Sequence, residues 1–237
     1  MCGITAFSGK EEALPFLLQG LHKLEYRGYD SAGVTLVDKD KLFTIKAKGR
    51  LQNLVDRLDQ AVPSGCVGIG HTRWATHGVP SNLNSHPHTN NDNTISLVHN
   101  GIIENYRELK EKLIAKGYTF HSETDSEVVV HLLDSYYQGD MLEALRKVID
   151  RIEGSYALCI VSTLEPDTIY VTKKDSPLVL GINDEASFGA SDIPALLDYT
   201  KDVYFIEDYE IAKLCKNKIT FYDHQGNTIN KKTTHIP

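Results

Sequence analysis

The chain has 237 residues, 41% of them hydrophobic, and 25 basic against 32 acidic side chains give a formal charge of -7. That length can bury one sizeable core, and we expect a single domain over residues 1–237. The acidic balance argues against a general nucleic-acid or anionic-membrane surface, which would need clustered Lys and Arg, and apolar runs such as Val128-Val129-Val130 fall far short of the roughly 20 residues that span a bilayer.

Gly3 to Phe7 is strand-like and meets Lys10-Glu11-Glu12 before any signal-peptide core develops, so a cytosolic location is expected. Leu14, Leu17, Leu18, Leu21 and Leu24 recur at helical spacing and predict an amphipathic helix to about Glu25, with Pro15 tolerable in its first turn. Strands are expected at 34–37 and 42–47, a short helix over 51–58, and a thin strand at 67–70. The Gly-, Ser-, Asn- and His-rich segment from His71 to Thr89 reads as a long functional loop, the best candidate for a lid. Ile95 to Val98 predicts a strand ending at His99-Asn100-Gly101. A helix then begins with Asn105 as N-cap and stops at Gly117. Further helices are expected at about 126–137 and 142–152, and short antiparallel strands at 156–161, 169–172, 178–180, 203–206, 211–214 and 219–222. A brief helix over 194–199 interrupts them, and 231–237 reads as a tail. This grouping suggests an α+β layered fold, because the regular strand-helix alternation of a parallel sheet is missing.

Four residue groups carry chemical meaning. Loss of Met1 would put a thiol and a free α-amine on Cys2, a nucleophile with its own base: the amine's ordinary pKa lies at roughly 7.7–8.0 and the thiol's near 8.5. Cys66, Cys159 and Cys215 sit in or beside strand-like runs and are expected to be buried, reduced thiols. His71-Thr72-Arg73-Trp74-Ala75-Thr76-His77-Gly78 suits a small polar anion, or is a solvated loop around one structural Trp. Asn100-Gly101 is either a plain turn or a side-chain amide beside an unhindered N–H, as an oxyanion site requires. Asp125 is either a first-turn helix acid or a carboxylate for a substrate ammonium. No pair among His71, His77, His86 and His88 has a recognised metal-ligand spacing, so neither a metal nor another cofactor is expected.

Cys2-Gly3-Ile4, the stretch from Leu24 to Gly33, His71 to Gly78, His99 to Ile103 and Ser122 to Asp125 together resemble, in order along nearly the whole chain, the glutaminase domains of the glucosamine-6-phosphate synthase (glutamine:fructose-6-phosphate aminotransferase, isomerising) family. The resemblance implies an N-terminal nucleophile (Ntn) hydrolase fold, a four-layer αββα sandwich of antiparallel sheets. It implies removal of Met1, Cys2 as nucleophile with its own amine as base, and Asn100 and Gly101 as the oxyanion hole. Arg73, with Thr76 and His77 nearby, would hold the glutamine carboxylate, and Asp125 its ammonium. Trp74 would lie on the ammonia route, and Arg27-Gly28 beside the nucleophile. The activity implied is hydrolysis of L-glutamine through a thioester, supplying ammonia to fructose 6-phosphate. For the sugar-isomerase domains that bind this acceptor in full-length members, no counterpart is expected within residues 1–237. A glutaminase domain serving another acceptor and a silent glutamine-binding sensor are the alternatives.

Overall fold

The computed structural model describes residues 2–75 and 78–237. Its strands are β1 Gly3–Gly9, β2 Ser31–Asp38, β3 Lys41–Lys48, β4 Val67–Arg73, β5 His88–Thr89, β6 Ile95–Ile103, β7 Gly154–Ser162, β8 Ile169–Lys174, β9 Val179–Ile182, β10 Ala186–Ala190, β11 Asp202–Phe205, β12 Ile211–Cys215, β13 Lys218–Tyr222, β14 Thr228–Ile229 and β15 Thr234–His235. The helices are α1 Leu14–Leu24, α2 Leu51–Ala61, α3 Tyr106–Ala115, α4 Glu127–Tyr136 and α5 Met141–Ile149, with 3-10 turns at Glu25–Arg27 and Ile193–Ala195.

The strands form an eight-stranded sheet, β15-β11-β9-β10-β1-β4-β2-β3, and a seven-stranded sheet, β14-β13-β12-β8-β7-β6-β5. Neighbours pair antiparallel throughout. Because successive side chains on a strand point to opposite faces, the central strands such as β1 and β7 bury two faces in different cores. Ile4 and Ala6 of β1 meet Val98, Ala157 and Cys159 between the sheets, whereas Phe7 turns outward to Phe16, Leu17 and Leu21 of α1. On the second sheet Leu158 and Ile160 of β7 face outward to Val129, Leu133 and Leu145 of α4 and α5. The result is four layers, helix-sheet-sheet-helix. Double-sided burial also explains why β7 reads as an apolar run instead of alternating. A fully buried side chain of this kind contributes about 1.5–3 kcal/mol.

Several sequence expectations are corrected by this packing. The segment from His71 to Thr89 is not all loop: 71–73 continue β4 and 88–89 form β5. Its histidines at 71, 86 and 88 are buried together with Asn84 and Ser85. The strand expected to end at His99-Asn100-Gly101 runs on to Ile103. Asn105 holds the N-cap position of α3 without a capping bond; its amide instead ties Arg151 O and the Glu153 N–H. The helix expected over 194–199 is one 3-10 turn, and the tail contains β15, paired with β11. Cys159 is buried, but Cys66 is exposed because it precedes β4 in the connection from α2; all four thiols are free. No helix among the described residues is long and apolar enough to cross a membrane.

β10 was not expected at all, yet it pairs with the central strand β1 over Thr5–Gly9. Its sequence, Ala-Ser-Phe-Gly-Ala, lacks the β-branched signature. It becomes a strand because all five residues are enclosed between α1 and the second sheet.

Candidate active site

Topology brings the Cys2 end of β1 and the Asn100-Gly101 stretch of β6 together although they lie on different sheets. β1 lies between β10 and β4, and Gly3 is paired with Thr72, so the residues flanking that pair, Cys2 and Arg73, fall at the same sheet end. Across the gap, the Asn100 Nδ2 donates to the Cys2 carbonyl at 3.1 Å. A cavity of about 470 Å³ opens at this junction. Cys2, Arg27, Arg73, Trp74, Asn100, Gly101 and Asp125 all line it. Gly28 is near but not in the wall, and Thr76 and His77 lie outside the described residues.

The thiol itself is held by main-chain atoms. The Trp74 N–H donates to Cys2 Sγ at 3.1 Å, and Sγ lies 3.5 Å from the Trp74 carbonyl. Burial raises the thiol pKa above its ordinary value, against a smaller lowering by the Trp74 N–H. Burial thus favours the thiol over the thiolate, and a nucleophilic role requires a base beside it. Trp74 is 54% exposed. Beneath its ring is Gly28, at φ +107°, where a Cβ would come within 2.6 Å of Trp74 Cε3. Glycine is needed there for both the backbone angle and the indole. Ala75, the next residue, donates its N–H to Asp30 Oδ2. Arg27 donates to the carbonyl and hydroxyl of Ser191, the residue whose hydroxyl also accepts the Ile4 N–H.

Arg73 is buried at the end of β4 and donates to the Gly78 and Val79 carbonyls at 3.0 and 3.4 Å. Its guanidinium therefore braces the loop after Gly78 while facing the cavity. Opposite it, Asp125 is 2% exposed and accepts the Ile103 N–H at 2.7 Å. The loop that carries Asp125 is pinned by Glu127, which accepts from the Ser122 N–H and hydroxyl, the His121 N–H and His131 Nε2. Although burial acts to raise the Glu127 pKa, these donors hold it down at about 2.

Gly101 sits at φ +119°, and a Cβ there would approach the Ser155 carbonyl to 2.2 Å, which no side chain can relieve. β6 can pass β7 at this point only with glycine. Asn100 Oδ1 meets His71 Nε2 at 2.9 Å, and the same ring nitrogen lies 3.1 Å from the His99 carbonyl. His99 in turn shares a bond with the Ser126 hydroxyl at 2.7 Å, so Ser126 gives α4 no capping bond. His71 and His86 stack with ring centroids 4.0 Å apart, and burial holds both imidazoles neutral, His71 at about 3. Among the described residues no three His, Cys, Asp or Glu side chains group to hold a metal ion.

The cavity wall also includes His86, His99, Ile102, Thr124, Ser126, Ser155, Ser176 and Pro177. Sequence reading gave none of these a role in the site. Thr124 and Ser126 flank a chosen residue, but Ser176 and Pro177 arrive from the β8–β9 connection and carry no local signal.

Taken together, the site offers a thiol, an amide donor beside it, and a guanidinium and a carboxylate that can bracket a zwitterion. Comparison with known proteins agrees with that chemistry. The glutamine amidotransferase domain model matches residues 71–198. Over its whole length the chain is 54% identical to a glutamine–fructose-6-phosphate aminotransferase (isomerizing) of Clostridium acetobutylicum, and 47% to that of Methanosarcina acetivorans. It spans only 39% and 40% of those two proteins. The glutamine phosphoribosylpyrophosphate amidotransferase of B. subtilis has the same fold at TM-score 0.81 and 25% identity, over 96% of this chain and 50% of that one. A class II glutamine aminotransferase domain protein of Silicibacter pomeroyi aligns over 94% of this chain and 99% of that one, at TM-score 0.65 and 15% identity, and supports the fold alone.

Proposed function

The chain belongs to the glutamine amidotransferase domain family and has the Ntn hydrolase fold, and from this premise we propose that its cavity hydrolyses the side-chain amide of L-glutamine through a Cys2 thioester. One observation carries the reading: the Cys2 thiol, the Asn100 amide, the Arg73 guanidinium and the Asp125 carboxylate face one cavity of about 470 Å³, large enough for an amino acid.

With Met1 removed, the Cys2 amine takes the thiol proton as Sγ attacks the amide carbon. The carbonyl π electrons move to oxygen, where the Asn100 Nδ2 and the Gly101 N–H meet the new charge. Collapse of the tetrahedral adduct breaks the C–N bond, and the protonated amine returns its proton to the departing nitrogen, releasing ammonia. Water, deprotonated by the same amine, then attacks the thioester; collapse of the second adduct breaks the C–S bond and restores thiol and glutamate. Arg73 pairs with the substrate α-carboxylate and Asp125 with its α-ammonium, with Thr76 and His77 completing the carboxylate end. Trp74, over Gly28, covers the reacting centre, and Arg27 braces the segment beneath it through Ser191.

The acceptor is fructose 6-phosphate, supported by the identity to aminotransferases that name it. Residues 1–237 form one glutaminase domain, and sugar-isomerase domains are its partners in the longer protein, since the relatives extend well beyond the matched part. The test is mass spectrometry of the N-terminus alongside a glutamate assay. Activity is expected to track Met1 removal, and Cys2→Ala to abolish turnover; full activity of a homogeneous Met1-retaining form would falsify the amine as base.

A further inference from the structure

The Asn100 side chain has two ends of opposite polarity and nearly equal shape. Turned the wrong way, it would present Oδ1, a negative dipole end, to the charge it has to stabilise. What selects the orientation can be traced through main-chain groups that have only one possible role. β5 is two residues long and pairs with β6 no further than Leu97, leaving the His99 main chain uncovered on that side. Two buried imidazoles take it up: the His99 N–H donates to His86 Nδ1 at 3.2 Å, and the His99 carbonyl lies 3.1 Å from His71 Nε2.

A carbonyl can only accept, so His71 must carry its proton on Nε2. The ring is fully buried and neutral, so it has one proton, and Nδ1 has no hydrogen-bond partner among the described residues. With Nε2 as donor, the Asn100 atom 2.9 Å away must be oxygen, and Nδ2 is turned toward Cys2. One Nδ2 proton is engaged by the Cys2 carbonyl. The other is left for the cavity.

We propose that His71 is a positioning residue: the His99 carbonyl sets its tautomer, and the ring then sets the Asn100 amide with its donor end toward the developing oxyanion. The inference rests on the reading of Asn100 as the oxyanion donor. His71 reaches the chemistry only through Asn100. Because the Cys2 carbonyl holds the other end of the same amide, the effect of losing His71 is smaller than that of losing Asn100.

The test uses the full chain processed to begin at Cys2, with glutamate production as readout. His71→Phe keeps a ring without the donor and is expected to lower kcat about 10-fold, the scale of a buried acceptor left unpaired, with KM within about twofold. His71→Gln, whose amide N–H reaches a similar point, is expected to recover most of the loss. In an Asn100→Ala background, His71→Phe is expected to cost nothing further, because residues acting as one unit are non-additive. A His71→Phe loss that adds in full to that of Asn100→Ala, or a folded His71→Phe with unchanged kcat, overturns the positioning role while leaving the oxyanion reading intact. An Asn100→Ala chain with normal kcat overturns that reading and the proposal with it. Independently of activity, 15N NMR of the unaltered chain at neutral pH should find the His71 proton on Nε2; a proton on Nδ1, or on both nitrogens, defeats the proposal.

Discussion

The two walls of the cavity are built differently. On the first sheet, the thiol and Trp74 are held by long contacts to one exposed segment, with Trp74 54% open to solvent and Sγ hydrogen-bonded, among the described residues, to main-chain atoms of Trp74. On the second sheet, Asn100, Asp125 and Ser126 are buried and bonded through His71, Ile103, His99 and the Glu127 carboxylate. The contrast fits the roles proposed for the two walls. Stabilising a charge that exists only in the transition state requires donors already in place, because reorganising them during reaction would cost part of the gain. Covering a substrate requires a segment that can be displaced, and weakly held, exposed structure opens at low free energy.

The comparison is tested hardest at Asn100. Asn100→Ala removes the donor from the rigid wall and is expected to lower kcat roughly 100- to 1,000-fold with little change in KM; a rise in KM alone would make Asn100 a ground-state contact. Next come the two charged residues, one on each wall. Charge-assisted hydrogen bonds contribute about 1.5–3 kcal/mol, so Arg73→Ala and Asp125→Ala should each weaken glutamine roughly 10- to 100-fold. Analogues separate them: a carboxylate-capped glutamine should lose little further affinity in Arg73→Ala, and a desamino analogue little in Asp125→Ala. Full additive losses with both analogues would remove the assignment.

Glu127 probes the rigid wall without touching substrate. Its pKa is depressed from 4.5 to about 2, so the carboxylate binds fewer protons in the folded state than in the unfolded one. The stability it supplies is fully present above about pH 4.5 and is lost as pH falls toward about 2. Glu127→Gln should destabilise by about 1–3 kcal/mol at neutral pH and by progressively less in acid. A denaturant midpoint lowered equally at neutral and acid pH would show that the carboxylate charge is not what holds the Asp125 loop.

The smallest effect is expected on the other wall. Gly28→Ala places a methyl group where the Trp74 ring lies, at a backbone conformation, φ 107° and ψ 153°, that is essentially reserved for glycine and costs about 1–3 kcal/mol for a residue with a Cβ. Because the exposed segment can shift to relieve the clash, the melting temperature should fall by only about 2–4 °C per kcal/mol. A loss larger than that of Glu127→Gln would mean that this wall is as firmly built as its opposite.

Much of this protein was legible from short-range signals. The leucine spacing of α1 predicted its extent to within a residue, since one apolar stripe against one sheet leaves a 3.6-residue period. The proposed nucleophile, the two charged residues and Asn100-Gly101 could be named because each carries its chemistry in its own functional group, and their motifs follow one another in a recognisable order. Other features belong to no local pattern. β10 is a strand only because β1 and α1 enclose it, and the β6 strand runs past its predicted end because β7 pairs with it as far as Ile103. His71 and His86 looked like possible ligands in sequence. Their roles depend on a strand edge that β5 leaves open at His99, a fact of sheet register. Residue type thus determined which groups are able to react. Only the stacking of two sheets decided what the Asn100 amide meets, because the Cys2 carbonyl and the His71 ring that hold its two ends come from parts of the other sheet distant in sequence.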